Sequence, residues 1–322
     1  MTLTQLRYLV AIADCGLNIT AAAERVHATQ PGLSKQLKQL EEELGFLLFS
    51  RRGRSLGSVT PAGQQVLERA RTIVSEADNI RAFAANQRRE VQGELTVITT
   101  HTQARFVLPT AITDVVRSYP EVSVHLQPVG ESDVLDILAR GDADLAITST
   151  AGPVPEGGLA LPLFRWRRVV LVPRRHPLAA LRKPTLADLS AHPLLSYESS
   201  TRAESSLRRA FEAEGLSLQL ALTAREADLI KTYVRAGLGV GLLAEMAVLG
   251  EDEADLVALP APDAIPECTT WAVLPRERVL RDYTLDLVRA IAPQLDRRDV
   301  RQALELNAEH QWPAAPSWSG ND

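Results

Sequence analysis

The stretch Asn18 to Arg52, NITAAAERVHATQPGLSKQLKQLEEELGFLLFSRR, decides the fold of the first part of the chain. Its first segment, Thr20 to Val26, holds Ala21, Ala22 and Ala23; alanine is the best helix former, and its small side chain lets a second helix approach closely. After a break at His27-Ala28, Thr29 is placed to cap a new helix. Pro31 falls in the first turn of that helix, where its missing N–H would be unpaired anyway. Leu33, Leu37, Leu40 and Leu44 recur at helical spacing and form one narrow apolar stripe. The opposite face carries Thr29, Gln30, Ser34, Lys35 and Lys38 near the helix start. Hydroxyls and amides suit base edges and ammonium groups suit phosphates, so the two helices fit a DNA major groove. Lysine and serine on an exposed face also serve plain solvation, and two amphipathic helices alone leave both readings open.

The residues that follow favour DNA. Phe49 to Thr60, FSRRGRSLGSVT, sets Arg51, Arg52 and Arg54 around Gly53 between two apolar stretches, which predicts a short β-ribbon wing. Its arginines would lie near the phosphate backbone or the minor groove. Thr60-Pro61 then supplies a cap and a proline for a long helix. Within it Val66, Ala70, Ile73, Ala77 and Ile80 alternate steps of four and three, the seam of a two-stranded coiled coil. The same stripe could pack on the chain's own body. Dimerisation is the preferred expectation, because a dimer presents two reading helices to two half-sites.

At 322 residues the chain suits a small DNA module plus one or two larger units. Its 45% hydrophobic and 23% charged content predicts a packed chain, not a disordered one. No apolar run follows a basic start and no stretch nears the length of a membrane span, so the expectation is a cytoplasmic protein with no membrane partner. Cys15 and Cys268 lack C-x-x-C spacing, which argues against a disulfide framework or a zinc site. The net charge of −5 conceals an asymmetry: residues 1–91 hold 12 Lys and Arg against 9 Asp and Glu, net +3, and the rest holds 23 against 31, net −8. The DNA-proximal surface can thus be basic on an acidic body.

From Glu94 onward strands and helices alternate. Strands are expected at 95–99, 122–126, 144–147, 169–172, 194–197, 218–222, 240–243 and 270–274, with helices at 106–118, 133–140, 202–214, 228–236 and 280–292. This pattern predicts parallel α/β sheets with helical crossovers. His310 to Asp322, with its prolines, tryptophans and small polar residues, is expected to be a mobile tail. In Leu95 to Arg105, a strand ends in hydroxyls and an amide directly before a helix. Thr100, Thr102 and Gln103 thus surround a helix start, which suits an anion and equally suits a simple polar cap.

The whole chain resembles the LysR-type transcriptional regulators. Leu3-Thr-Gln-Leu-Arg-Tyr8, Thr99-Thr-His-Thr-Gln-Ala-Arg105 and Asp228-Leu-Ile-Lys-Thr-Tyr-Val-Arg-Ala-Gly-Leu-Gly-Val-Gly241 are similar to the CysB-like subgroup, which controls sulfur assimilation. The resemblance covers about residues 1–300. It implies an α/β fold with an N-terminal all-α winged helix-turn-helix (1–60), a linker and dimerisation helix (61–90), and a two-subdomain, periplasmic-binding-protein-like (type 2) effector domain (91–300). Subdomain I would take about 91–163 and 268–300, subdomain II about 164–267, and a tail 301–322. DNA contact would fall on Thr29, Gln30, Pro31, Ser34, Lys35, Lys38, Arg51, Arg52 and Arg54.

By resemblance the effector is sulfate, thiosulfate, O-acetylserine or N-acetylserine, held by Thr100, Thr102 and Gln103. A hydroxyl after the strand at 144–147 would join them, Ser149 or its neighbour Thr148, as would a residue near Thr201 and Arg202. Arg225-Glu226 departs from the subgroup's Thr-Asp. An arginine beside the cleft would favour a carboxylate or sulfonate ligand, as in a LysR-type regulator of another pathway, or it could be a surface residue. Promoter DNA, a dimer of dimers and RNA polymerase are the implied partners; no cofactor or metal is expected. Nothing supplies a nucleophile with a base in reach, since the six histidines are scattered and no G-x-S-x-G occurs, so no catalytic residue and no enzyme is expected.

Overall fold

The computed structural model describes residues 1–53, 55–88, 90–306 and 310–319. They form two compact units, Met1–Glu90 with Glu277–Arg281, and Val91–Arg276 with the residues from Asp282 onward.

The first unit runs α1 (Leu3–Asp14), α2 (Ile19–Arg25), α3 (Gln30–Leu44), β1 (Phe49–Arg52), β2 (Ser55–Val59) and α4 (Pro61–Gln87). Side chains stop and start these helices. Asn18 Oδ1 accepts from Thr20 N and Ala21 N, Thr29 Oγ1 from Gly32 N, and Thr60 Oγ1 from Gly63 N, each satisfying an amide the helix leaves unpaired. Gly45 ends α3 in the left-handed conformation at φ 80°. Leu33, Leu37 and Leu40 of α3 meet Leu9, Ile12, Ala22, Leu48, Phe49, Leu67 and Ala70 in one core. Complete burial of a leucine such as Leu33 or Leu40 contributes about 1.5–3 kcal/mol.

The apolar seam expected along α4 divides. Val66 and Ala70 pack on the unit's own core, whereas Ile73 and Ile80 remain 45% and 64% exposed, as does Phe83, three residues beyond the expected seam, at 57%.

The second unit holds two five-stranded sheets. The first, in order β4-β3-β5-β12-β6, joins β3 (Gln92–Thr100), β4 (Glu121–Val129), β5 (Leu145–Thr150), β6 (Leu159–Trp166) and β12 (Cys268–Leu274). The second, in order β11-β7-β10-β8-β9, joins β7 (Arg168–Pro173), β8 (Leu194–Tyr197), β9 (Leu220–Ala224), β10 (Val240–Ala244) and β11 (Leu256–Pro260). Helices α5 (His101–Phe106), α6 (Leu108–Ser118), α7 (Glu131–Ala139), α8 (Leu186–Ser190), α9 (Ser206–Ala213), α10 (Ala227–Arg235), α11 (Asp282–Ile291) and α12 (Arg297–Leu306) complete the unit. The chain crosses between sheets twice, from β6 to β7 through Arg167 and from β11 back to β12.

Three expectations are corrected. The sheets are mixed, not parallel: β3, β4 and β5 run parallel, but β12 is antiparallel to β5 and β6, and β7 is antiparallel to β10 and β11. The two return crossings impose this, because a strand entering a sheet from the other sheet need not follow a helical crossover. The expected tail 301–322 begins with the second half of α12, which buries Val300 and Ala303. Residues 315–318 are docked rather than loose. Arg165 N donates to Pro316 O and Trp318 N to Arg165 O, both at 2.7 Å, and the Trp318 ring lies 4.8 Å from that of Phe164. Strand β6 is a sheet edge with unpaired backbone groups, and this segment satisfies some of them.

Candidate functional site

Both sheets of the second unit aim the carboxyl ends of their parallel strands at a common cleft, where open α/β sheets place ligands. Thr100 ends β3, Thr150 ends β5, Tyr197 ends β8, Ala224 ends β9 and Ala244 ends β10, and all five line it. Its volume is about 250 Å³, near the small end of ligand pockets.

Gln103, 1% exposed, lies at the centre of the polar wall. Its Nε2 donates to Ser149 Oγ at 3.1 Å and reaches Thr270 Oγ1 at 3.4 Å, and those two hydroxyls share a hydrogen bond of 2.9 Å. Trp166 Nε1 also donates to Ser149 Oγ, at 3.3 Å. Gln103 Oε1 is buried with no partner among the described residues. With the amide turned over, the oxygen would accept from the hydroxyls and the NH2 would stand alone; in either arrangement one polar atom is left for a ligand. Leaving such an atom unmet costs about 1–3 kcal/mol, which a ligand's hydrogen bond would recover. Thr102, also buried, bonds to the Tyr197 hydroxyl on the facing wall, and that hydroxyl accepts from Ala244 N at 3.2 Å. Burial pushes the Tyr197 phenol up, so it stays neutral.

Of the other expected residues, Thr100 and Ser149 line the cleft, whereas Thr148 is buried elsewhere. Arg202 lines it and Thr201 does not; the Thr201 hydroxyl donates to Glu198 O at 2.7 Å. Arg225 lines the cleft, but its Nε is held by Glu198 Oε2 at 2.8 Å, and both side chains are about half exposed. Trp166, Arg168, Tyr197, Cys268 and Thr270 escaped the sequence reading. Thr270 Oγ1 belongs to the polar cluster, Trp166 donates to it, and Arg168, Tyr197 and Cys268 line the same cleft.

In the first unit, Thr29, Gln30, Pro31, Lys35 and Lys38 are exposed on one end of α3, with Ser34 half-buried beside them. Gln30 Nε2 donates to Ser34 Oγ at 3.2 Å, and Lys38 pairs with Glu42 at 3.5 Å. Arg51 Nη2 lies 2.9 Å from Glu41 Oε2. Glu41, 5% exposed, accepts from Leu48 N and Phe49 N through its other oxygen, so this pair anchors the first wing strand to the end of α3. Arg52 is exposed; Arg54 lies outside the described residues.

Residues 3–64 match the family described as bacterial regulatory helix-turn-helix protein, lysR family, and residues 88–296 match the LysR substrate binding domain. The chain belongs to the LysR family of transcriptional regulators. It is 38% identical to the HTH-type transcriptional regulator CysB of Haemophilus influenzae over 306 residues, 95% of this chain and 94% of that protein. It is 34% identical to the HTH-type transcriptional regulator cbl of Escherichia coli K12 over 310 residues, 96% and 98% of the two chains. The crystal structure of the cofactor-binding domain of the Cbl transcriptional regulator superposes with a TM-score of 0.61 at 32% identity, covering 67% of this chain and 94% of that one.

As a LysR regulator the chain is not an enzyme. Among the described residues no cluster of three His, Cys, Asp or Glu could hold a metal, and no helix is long and apolar enough to cross a membrane. The LysR substrate-binding match contains the whole cleft lining, Thr100 to Cys268. The missed residue with the plainest sequence signal was Arg168, in the run Trp166-Arg-Arg168 between two apolar strands.

Proposed function

We propose that this LysR regulator controls genes of sulfur-source use and binds an anionic effector in the cleft between its two sheets. The observation that carries the effector site is the Gln103–Ser149–Thr270 cluster, which leaves one buried amide atom unmet on the cleft wall. Thr100 and Thr102 flank it, as the similarity to CysB and Cbl leads one to expect of a site for sulfate, thiosulfate, O-acetylserine or N-acetylserine.

Promoter DNA would be read by Thr29, Gln30, Pro31, Ser34, Lys35 and Lys38, with Arg51, Arg52 and Arg54 on the wing. The exposed Ile73, Ile80 and Phe83 would pair two copies, and two dimers would form the working tetramer in the cytoplasm, in contact with RNA polymerase. The effector shifts the arrangement of subunits to the extent that it binds one arrangement more tightly than another.

Mobility-shift titration of the chain's own upstream DNA, with and without each of the four ligands, tests this function. Salt-sensitive binding that changes with a ligand supports it. Binding to that DNA that none of the four alters would reject a sulfur-linked effector.

A further inference from the structure

Arg168 opens β7, directly after the crossover from the first sheet to the second. Its Nε and Nη1 are buried, and neither has a hydrogen-bond partner among the described residues. The guanidinium carbon lies 5.8 Å from the centroid of the Trp166 ring, and Trp166 in turn donates to Ser149, the hydroxyl that holds Gln103. Arg168 therefore stands one aromatic ring away from the polar cluster.

Its field reaches both walls of the cleft. Burial pushes the Tyr197 phenol and the Cys268 thiol up; the Arg168 charge opposes that rise in each, and Arg168 also hydrogen-bonds the Cys268 thiol, which is neutral and supplies no counter-charge. The carboxylates on its other side are already engaged. Around the small hollow that Arg168 shares with Arg167, Pro262 and Ile265, Glu267 pairs with Arg165 and Arg167, and Asp263 with Lys183 and Arg167. The other cleft arginines differ. Arg225 is held by Glu198, Arg209 donates to Glu204 O at 2.9 Å, and Arg202 has no buried N–H lacking a partner. A partly buried guanidinium left without a counter-charge is costly, and a fold that keeps one beside a cleft is prepared for an incoming anion.

We propose that Arg168 is the charge partner of the effector, and that the effector is an organic anion. Its carboxylate or sulfonate meets the Arg168 guanidinium, its body lies along Trp166 and Tyr197, and a polar group reaches the free amide atom of Gln103. This rests on the cleft being the effector site. Hydroxyls and an amide alone would serve an inorganic anion. A cavity of about 250 Å³ with two unpartnered guanidinium N–H groups on one side and an unmet amide atom on the other suits a longer molecule.

The test is calorimetric titration of the full chain with N-acetylserine, its neutral primary amide, methanesulfonate and inorganic sulfate, in the native protein, Arg168→Gln and Arg168→Lys. Thermal melting of each variant is run alongside to establish that it folds. The native chain is expected to prefer the acid over its amide by about 10–100-fold, the worth of one charge-assisted hydrogen-bonded contact. Arg168→Gln is expected to reduce that ratio to within about threefold, and Arg168→Lys to keep part of it. An acid-to-amide ratio unchanged in a folded Arg168→Gln overturns the role of Arg168 and leaves the effector cleft standing. Binding of sulfate but of neither organic anion overturns the ligand class. Binding of no probe by the native chain overturns the cleft as an anion site, and this inference with it.

Discussion

Arg105 Nε lies 2.7 Å from Asp228 Oδ2, which ties α5, the helix carrying Thr102 and Gln103, to α10 on the facing side of the cleft. The other oxygen of Asp228 meets Lys231 Nζ at 3.1 Å, and that ammonium, 3% exposed, also reaches Asp252 Oδ2 at 2.8 Å and Ala247 O at 3.0 Å. The helix carrying Thr102 and Gln103 is therefore linked through one ion pair to a buried charged network in the second subdomain.

Arg105→Gln should leave the fold almost as stable as before, within about 1 kcal/mol, because the arginine side chain is well exposed. Effector affinity should fall several-fold, since the variant loses the bridge that holds α5, with Thr102 and Gln103, against α10. Melting temperature and ligand titration on the same preparation separate the two effects.

Lys231→Met should cost about 1–3 kcal/mol in chemical denaturation, because Asp252 loses one of its two cationic partners and keeps Arg235. The pH dependence follows from the same group. Burial alone would raise Asp252, but Lys231, Leu249 N and Arg235 outweigh it and hold the carboxyl below its ordinary range. A carboxyl depressed in the folded state contributes stability above its unfolded pKa of about 3.9 and loses it as the pH falls toward the folded value. The native chain should accordingly lose stability on acidification below about pH 4.

Ile80→Lys and Phe83→Lys should weaken self-association without lowering the stability of the first unit's core, since both side chains are more than half exposed and Leu67 and Ala70 carry the internal packing. Sedimentation velocity over a range of concentrations checks this, with a shift toward smaller species expected. An unchanged distribution would assign pairing to another surface.

Lys35→Ala should weaken binding to all DNA sequences alike and reduce the dependence of log K on log salt by about 1, as expected for one lost phosphate contact. Arg51→Ala should do more, because Arg51 also holds Glu41 at the base of the wing.

Much of this was legible in the sequence where local chemistry dictates the outcome. The leucine stripe of α3, its Thr29 cap and the Thr60-Pro61 start of α4 are decided by residues adjacent in the chain. Strand β6 was not anticipated, because Pro162 within it argues against a central strand; it is an edge strand, where proline is tolerated. The docked segment 315–318 was also hidden, since its partner Arg165 is about 150 residues away in sequence. At the cleft, the hydroxyls and amide following β3 were visible as a cluster. Arg168, Tyr197 and Thr270 were not, because they meet that cluster only through the two crossings between the sheets. For Arg225 the sequence leaves a cleft or a surface position open, and its partner Glu198, 27 residues earlier in the chain, is set beside it only by the fold.

Effector binding at Gln103 and DNA reading by the first unit are proposed to be separable. The most direct measurement is calorimetric titration of the full chain with sulfate, thiosulfate, O-acetylserine and N-acetylserine, in the native protein and in Gln103→Ala, with DNA affinity measured on both. At least one ligand is expected to bind the native chain, Gln103→Ala to weaken it at least about tenfold, and DNA affinity in the absence of ligand to stay unchanged. Equal ligand binding by both proteins, or ligand and DNA affinity lost together, would contradict this proposal.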